Sequence, residues 1–264
     1  MVADLQLRLF PFHGDGVAAV VSTRHGGASA GCYESLNLGD HVGDDHQAVL
    51  ENRRRLATAL GVARLTIADQ RHTDQVAVVD AALAGRGHDG GPDAVAAFPA
   101  TDALITDLPG AALAILVADC APVVLFDPRR RAIGVAHSGR AGTVRGVVPK
   151  TMTAMAAAFG SAPRDLIAGI GPAIGAASYE IGAAEAAEVM AAFGAAGTKL
   201  LLPSRPGHAT FDVAGAIRGQ LRAAGVPDAS VHDMAIDTRT ATADFFSDRA
   251  ARPCGRFAAV AMLT

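Results

Sequence analysis

Apolar positions along the chain fall into short β-rich runs and longer helical stretches, punctuated by Gly, Pro and Asp. The first run, Val17 to Ser22, predicts a strand. Asp44 or Asp45 is a good N-cap for a helix over about 47–60, because Val49, Leu56 and Leu60 fall on one face and Gly61 stops it. Short strands follow at 65–69, 76–79 and 102–106, and the Gly-rich stretch 85–92 predicts a flexible surface loop. Then come the apolar runs 113–118, 123–126 and 133–136, separated by Asp119-Cys120 and by the turn Asp127-Pro128 with its arginines. By period and punctuation these runs predict an antiparallel meander. The end of its first strand and the end of its third would share one sheet edge, bringing Cys120 toward His137.

The second half predicts a helix over 143–159 stopped by Gly160, with Pro149 near its first turn, so that the helix proper starts at Val148 or Pro149. A strand at 166–170 enters the string GIGPAIG. That string is not a dinucleotide fingerprint, since the G-x-G-x-x-G spacing fails and no acidic residue closes a following strand at the right distance. Helices are predicted over 183–193 and over 213–224, the latter capped by Asp212, and strands at 230–236 and 256–263 close the chain. Strands and helices mix without strict alternation and no repeat is present. We therefore expect residues 1–264 to form a single α+β domain with mixed β-sheets, not a doubly wound parallel fold.

Composition narrows the partners. Half of the 264 residues are hydrophobic, enough for a substantial core. A net charge of −3 gives no electrostatic reason to expect nucleic acid, and 5% aromatic residues are too few for base-stacking platforms. No window resembles a membrane span and no signal pattern opens the chain, so we expect a soluble cytoplasmic protein, a monomer with no membrane partner. Cys32, Cys120 and Cys254 form no C-x-x-C pair.

Two readings of Cys120 and His137 are open on these residues alone. Cys120 can be a nucleophile with His137 as its base, or both can be ligands of a zinc ion completed by a third residue. Spacing does not choose between them. Around them, Arg24 with the Gly26-Gly27 loop is a candidate anion site, and one of Arg53 to Arg55 can point inward toward an anion.

The strings STRHGGASAGCYESLNLGDHVGDD, ENRRRL, QRHTDQV, TDALIT, ADCAPVVLFD, GVAHSGRAGT, GIGPAIGAASYEIG and FFSDR follow one another from Ser22 almost to the C-terminus. In that order they resemble the YfiH family, also described as laccase-like or multicopper polyphenol oxidases. The resemblance implies a zinc ion held by His72, Cys120 and His137, with copper less expected. It implies a sandwich of mixed sheets with flanking helices, similar to the catalytic domain of deamidating toxins. The activity it implies is phosphorolysis of adenosine, inosine, guanosine and methylthioadenosine, with adenosine deamination, so that nucleoside and phosphate are the expected partners. Alternatives are copper-dependent phenol oxidation, a cysteine amidase acting in peptidoglycan precursor editing, or a degenerate member of low activity.

On that reading Asp119 and Gln70, which flank ligands, are expected to orient them or handle protons, while Arg24, Arg53 and Arg140 are expected to contact substrate. Departures cluster after His137. Arg140 and Ala141 stand where the family has Trp and Arg. Thr73 replaces a Gly, and Arg239 replaces a Cys.

Overall fold

The computed structural model describes residues 5–264. Its first sheet joins β1 (Leu7–Leu9), β2 (Val17–Ser22), β3 (Leu65–Ile67), β6 (Ala112–Val117) and β14 (Phe257–Leu263) in the order β1-β2-β14-β6-β3. The second joins β4 (Val76–Val78), β5 (Ala103–Thr106), β7 (Ala121–Asp127), β8 (Ala132–Ser138), β9 (Ile167–Ile170) and β13 (Val231–Asp233) in the order β13-β9-β7-β8-β5-β4. Both are mixed: β3 runs parallel to β6, β4 to β5 and β13 to β9, and the other pairs are antiparallel. A small third sheet of β10 (Glu180–Gly182), β11 (Leu201–Pro203) and β12 (His208–Phe211) has no counterpart in the sequence prediction, because its short strands are half-exposed and lack a clear apolar period.

The two large sheets face each other. Val21, Ile115, Val117 and Ala259 from the first pack against Leu104, Val124, Phe126 and Val135 from the second. The alternate residues of the same strands are buried too. Val20, Ala114, Leu116 and Val260 lie under Leu56 and Ala57 of α1 (His46–Ala59). On the far side, Ile105, Val123 and Leu125 are covered by α4 (Val147–Phe159) and α7 (Val213–Ala223) through Val148, Met152, Met155, Ile217 and Leu221. Burial on both faces is why these strands read as continuous apolar runs. The α+β sandwich with flanking helices agrees with expectation. The remaining helices are α2 (Gly91–Ala97), α3 (Arg140–Arg145), α5 (Ala183–Phe193) and α6 (Gly197–Leu200). Asp45 caps α1 by accepting from the Ala48 N–H, and Asp212 caps α7 by accepting from that of Gly215.

Three expectations need correction. The meander does not exist: β7 and β8 form a hairpin in the second sheet, while β6 lies between β14 and β3 in the first. All three runs are apolar on both faces, so period alone cannot assign them to a sheet. The chain crosses between sheets at Asp119, whose φ of 83° turns it from β6 into β7. Second, the helix predicted over 143–159 is two. Gly146 in the left-handed region (φ 78°) ends α3 and starts α4, with Pro149 in the first turn of α4, where no N–H is missed. Third, the stretch 85–92 lies only partly at the surface: Arg86, Asp89, Gly91 and Pro92 are exposed and the residues between them are packed. Gly85, Gly87, His88 and Gly90 are buried, and a Cβ on Gly87 would collide with the carbonyl of Ile67.

Candidate metal centre and its cavity

His72, Cys120 and His137 converge where the two sheets end together. His72 lies in the loop after β3, and its φ of 59° is unusual for a residue with a side chain. Cys120 is the last residue of the crossover. His137 sits in β8, and the hairpin register pairs Pro122 with His137 and Ala121 with Ser138, which sets Cys120 beside the imidazole. The proximity argued from a meander therefore holds for a different reason, the register of a two-stranded hairpin. The three ligand atoms all lie within 4.8 Å of one another, Cys120 Sγ is 3.7 Å from His72 Nε2, and the two imidazole centroids are 4.7 Å apart. Gly139 is required here, since a Cβ on it would strike Cys120 Sγ.

A buried carboxylate holds this arrangement. Asp102, which sequence reasoning passed over as a strand start, lies 2.7 Å from His137 Nδ1 and also accepts the backbone N–H groups of Arg71, His72 and Thr73 and the Thr73 hydroxyl. It thus fixes the loop carrying one imidazole and the ring orientation of the other, leaving His137 Nε2 for the cluster. The Thr73 hydroxyl adds a donor that a Gly there would lack. The recognisable signal was the TDALIT string, whose Asp stands beside no ligand in sequence.

The electrostatics are those of a coupled thiol and imidazole. Desolvation raises the Cys120 thiol, but His137 and then His72 outweigh it and bring the thiol down to about 6. Desolvation lowers His137, yet Cys120 and Asp102 push it up to about 9. For Asp102, burial works toward a higher value and the hydrogen bonds from His137 and Thr73 hold it below the usual carboxylate range.

His72, Cys120 and His137 line a cavity of about 570 Å³, with Asp102 buried behind them. Other walls come from Tyr179, Ile174, Arg249, His41, Arg53, Arg71 and Arg256. Burial pushes the Tyr179 hydroxyl up to about 12, and the Arg249 guanidinium lies 5.3 Å from its ring centre. Tyr179, Arg71, Arg249 and Arg256 were not singled out from sequence: Arg71 directly precedes His72 and that adjacency was the available signal, while nothing in the local spacing of the other three links them to His72 or Cys120.

Of the expected site residues, Gln70, Asp119 and Arg53 line the cavity beside the triad. Gln70 bridges the backbone of Leu116 with both ends of its amide, at 2.8 Å each. Asp119 accepts from the Thr238 hydroxyl and from the N–H of Arg249, tying the crossover to the loops behind it. In both cases the visible role is to hold neighbouring chain in place. Arg53 is buried and donates to the carbonyls of Leu38, Gly87 and His88; burial lowers it to about 10, so it stays cationic at neutral pH. Arg24 and Arg140 are not among the cavity walls. Arg24 is held by the carbonyls of Glu34 and Thr242 and lies over the Phe246 ring, and Arg140 pairs with Glu188 of α5. Local charge along the chain does not show which cations the tertiary path brings to the cavity wall.

Two imidazoles and a thiol beside an open cavity define the class: an α+β sandwich with a candidate three-ligand metal centre at one end of its sheets. Residues 18–264 match the model of the multi-copper polyphenol oxidoreductase laccase family, and the chain belongs to that family. It is 41% identical over 237 residues to a Streptomyces coelicolor protein named purine nucleoside phosphorylase, covering 89% of this chain and 90% of that one. A Mycobacterium tuberculosis protein of the same name is 38% identical over 251 residues, covering 92% and 91%. Among solved structures, YfiH of Bacillus licheniformis superposes with a TM-score of 0.93 at 30% identity, covering 100% of this chain and 98% of that one. YlmD of Geobacillus stearothermophilus gives 0.91 at 32%, covering 99% and 98%.

Proposed function

We propose that this protein is a zinc-dependent purine nucleoside phosphorylase that also deaminates adenosine. The observation that carries the reading is the convergence of His72, Cys120 and His137 on one wall of a nucleoside-sized cavity, in a chain whose relatives bear the phosphorylase name. The donor set fits zinc. Tetrahedral bonds to imidazole and thiolate put ligand atoms about 3.5 Å apart, and the 3.7 Å between Cys120 Sγ and His72 Nε2 is close to that. With three protein ligands the fourth position stays open for catalysis. Copper of the blue type would want a weak axial ligand such as Met, and no Met lines the cavity among the described residues.

A zinc ion held there would supply Lewis acidity toward water or a substrate atom. The chain's own residues do the rest. Asp102 keeps the His137 proton on Nδ1, Gly139 leaves room for the thiolate, and Tyr179 and Ile174 offer apolar surface for a purine. In phosphorolysis a phosphate oxygen bonds to the anomeric carbon of the ribose. The glycosidic carbon–nitrogen bond breaks, and its electron pair leaves with the purine, which takes up a proton. In deamination water adds at the 6-position of adenine and ammonia departs, leaving inosine. Incubation of the metal-loaded protein with adenosine and phosphate, followed by chromatography, should yield adenine, ribose-1-phosphate and inosine. Absence of all three products overturns the proposal.

A second reading has an observation of its own. Cys120, His137 and Asp102 form a thiol–imidazole–carboxylate line like that of a cysteine amidase. Such an enzyme would be active after the metal is stripped and inactivated by iodoacetamide, whereas the zinc enzyme would lose activity on stripping.

A further inference from the structure

We infer that the part of the cavity built on Arg53 is a subsite for a tetrahedral oxyanion, where inorganic phosphate sits during the reaction; only the identity of the anion rests on the phosphorylase reading. Arg53 is 2% exposed, yet it lines the cavity. Its Nε donates to Leu38 O at 2.9 Å, and Nη1 donates to Gly87 O at 3.1 Å and to His88 O at 2.8 Å. All three acceptors are neutral carbonyls. Among the described residues no carboxylate pairs with this guanidinium, and Asp40 and Asp89 act on it only from a distance. Nη2 donates to no described protein atom.

A purely structural Arg53 would need only what Nε and Nη1 already do, holding the loop at Leu38 against the turn at 87–88. That leaves two N–H bonds and a whole positive charge without use. Keeping an unmatched guanidinium away from water costs free energy, and an anion arriving at Nη2 offsets that cost. Arginine suits the task because its planar fork matches phosphate geometry and its charge does not titrate away.

The neighbouring cations do not explain the site in the same way. Arg71 shares Asp69 at 2.9 Å, and Arg256 faces Asp248 at 3.5 Å, so each already has a counter-charge. They line the same cavity with His41 and add positive potential. Among the described residues Arg249 has no carboxylate partner either, but it is exposed, donates to the Glu180 carbonyl and lies over Tyr179. Arg53 is therefore the buried guanidinium without a counter-charge. The cavity therefore carries two chemistries on its walls: the His72–Cys120–His137 centre, and a cationic region whose buried guanidinium lacks a partner. A ligand pair with a polar ring system and a separate anion fits both.

The test is calorimetric titration of the metal-loaded full chain with inorganic phosphate alone, repeated on Arg53→Lys, Arg71→Gln and Arg256→Gln. Phosphate should bind the unaltered protein. Arg53→Lys, which keeps a charge but loses the fork, should weaken it by about tenfold, and Arg71→Gln and Arg256→Gln each severalfold. The KM for phosphate should rise in parallel, with equilibrium binding of the nucleoside unchanged. Because Arg53 also ties two loops, Arg53→Lys is checked by circular dichroism, and if it unfolds the other two variants decide. No phosphate binding to the unaltered protein, or unchanged binding in every folded variant, overturns the subsite. Arg53-dependent phosphate binding without nucleoside turnover would keep the subsite and sink the phosphorylase reading. Turnover whose KM for phosphate ignores all three variants would do the reverse.

Discussion

The side chain that most decides this centre is Asp102, which on the proposed reading never touches a metal. One carboxylate accepts from His137 and from three successive backbone N–H groups around His72, so a strand and a loop that carry two candidate ligands share a single anchor. Asp102→Asn retains the shape but turns one of the two acceptor oxygens into a donor amide and removes the charge. Zinc affinity, measured by competition with a chelator, should fall about 10–100-fold. Cys120→Ala should abolish binding of the one zinc per chain expected by metal analysis. Gly139→Ala should impair it as well, because the added methyl occupies the space of the Cys120 sulfur.

At the scale of elements, irregular segments do as much positioning as strands. His88 is buried in the turn before α2, where its Nδ1 accepts the N–H of Leu65 at the start of β3. Burial, with Arg64 and Arg53 nearby, lowers this imidazole from 6.5 to about 4. In the unfolded chain it takes up a proton near 6.5, whereas in the folded chain it resists until about 4. Stability contributed by neutral His88 is therefore complete above pH 6.5 and is lost as the pH falls toward 4, by on the order of 3 kcal/mol. Urea titrations between pH 7 and 4 should show this loss, and His88→Leu should flatten it while lowering stability throughout. The α1 cap gives a simpler check: Asp45→Ala removes the acceptor of the Ala48 N–H and should cost about 1 kcal/mol in the same assay.

For the molecule as a whole, the three candidate ligands come from both halves of the sandwich. His72 follows a strand of the first sheet, His137 lies in the second, and Cys120 is on the crossover between them. A metal bound by all three would link the sheets at one end, in the folded state only. Adding zinc at a hundredfold excess over its Kd should then raise stability by about 2.7 kcal/mol. The melting temperature should drop on chelation, and Cys120→Ala should show no difference between the two conditions.

Most of the regular elements were legible along the chain, because burial on one or both faces writes a period or a continuous apolar run, and Asp45, Asp212 and Gly160 mark ends through local hydrogen bonding and backbone conformation. The candidate ligand set was legible as well, since His72, Cys120 and His137 stand in strings that carry the family resemblance, and the fold brings the three together. Tertiary structure alone decided the rest. It assigned β6 and β7 to different sheets, as apolar runs of equal character carry no label for a partner. It brought Asp102 to His137 from another strand, and it separated Arg53, turned into the cavity, from Arg24 and Arg140, held elsewhere by carbonyls and Glu188. Charge and spacing along a chain name the groups available, while which of them meet depends on register and crossover between strands distant in sequence.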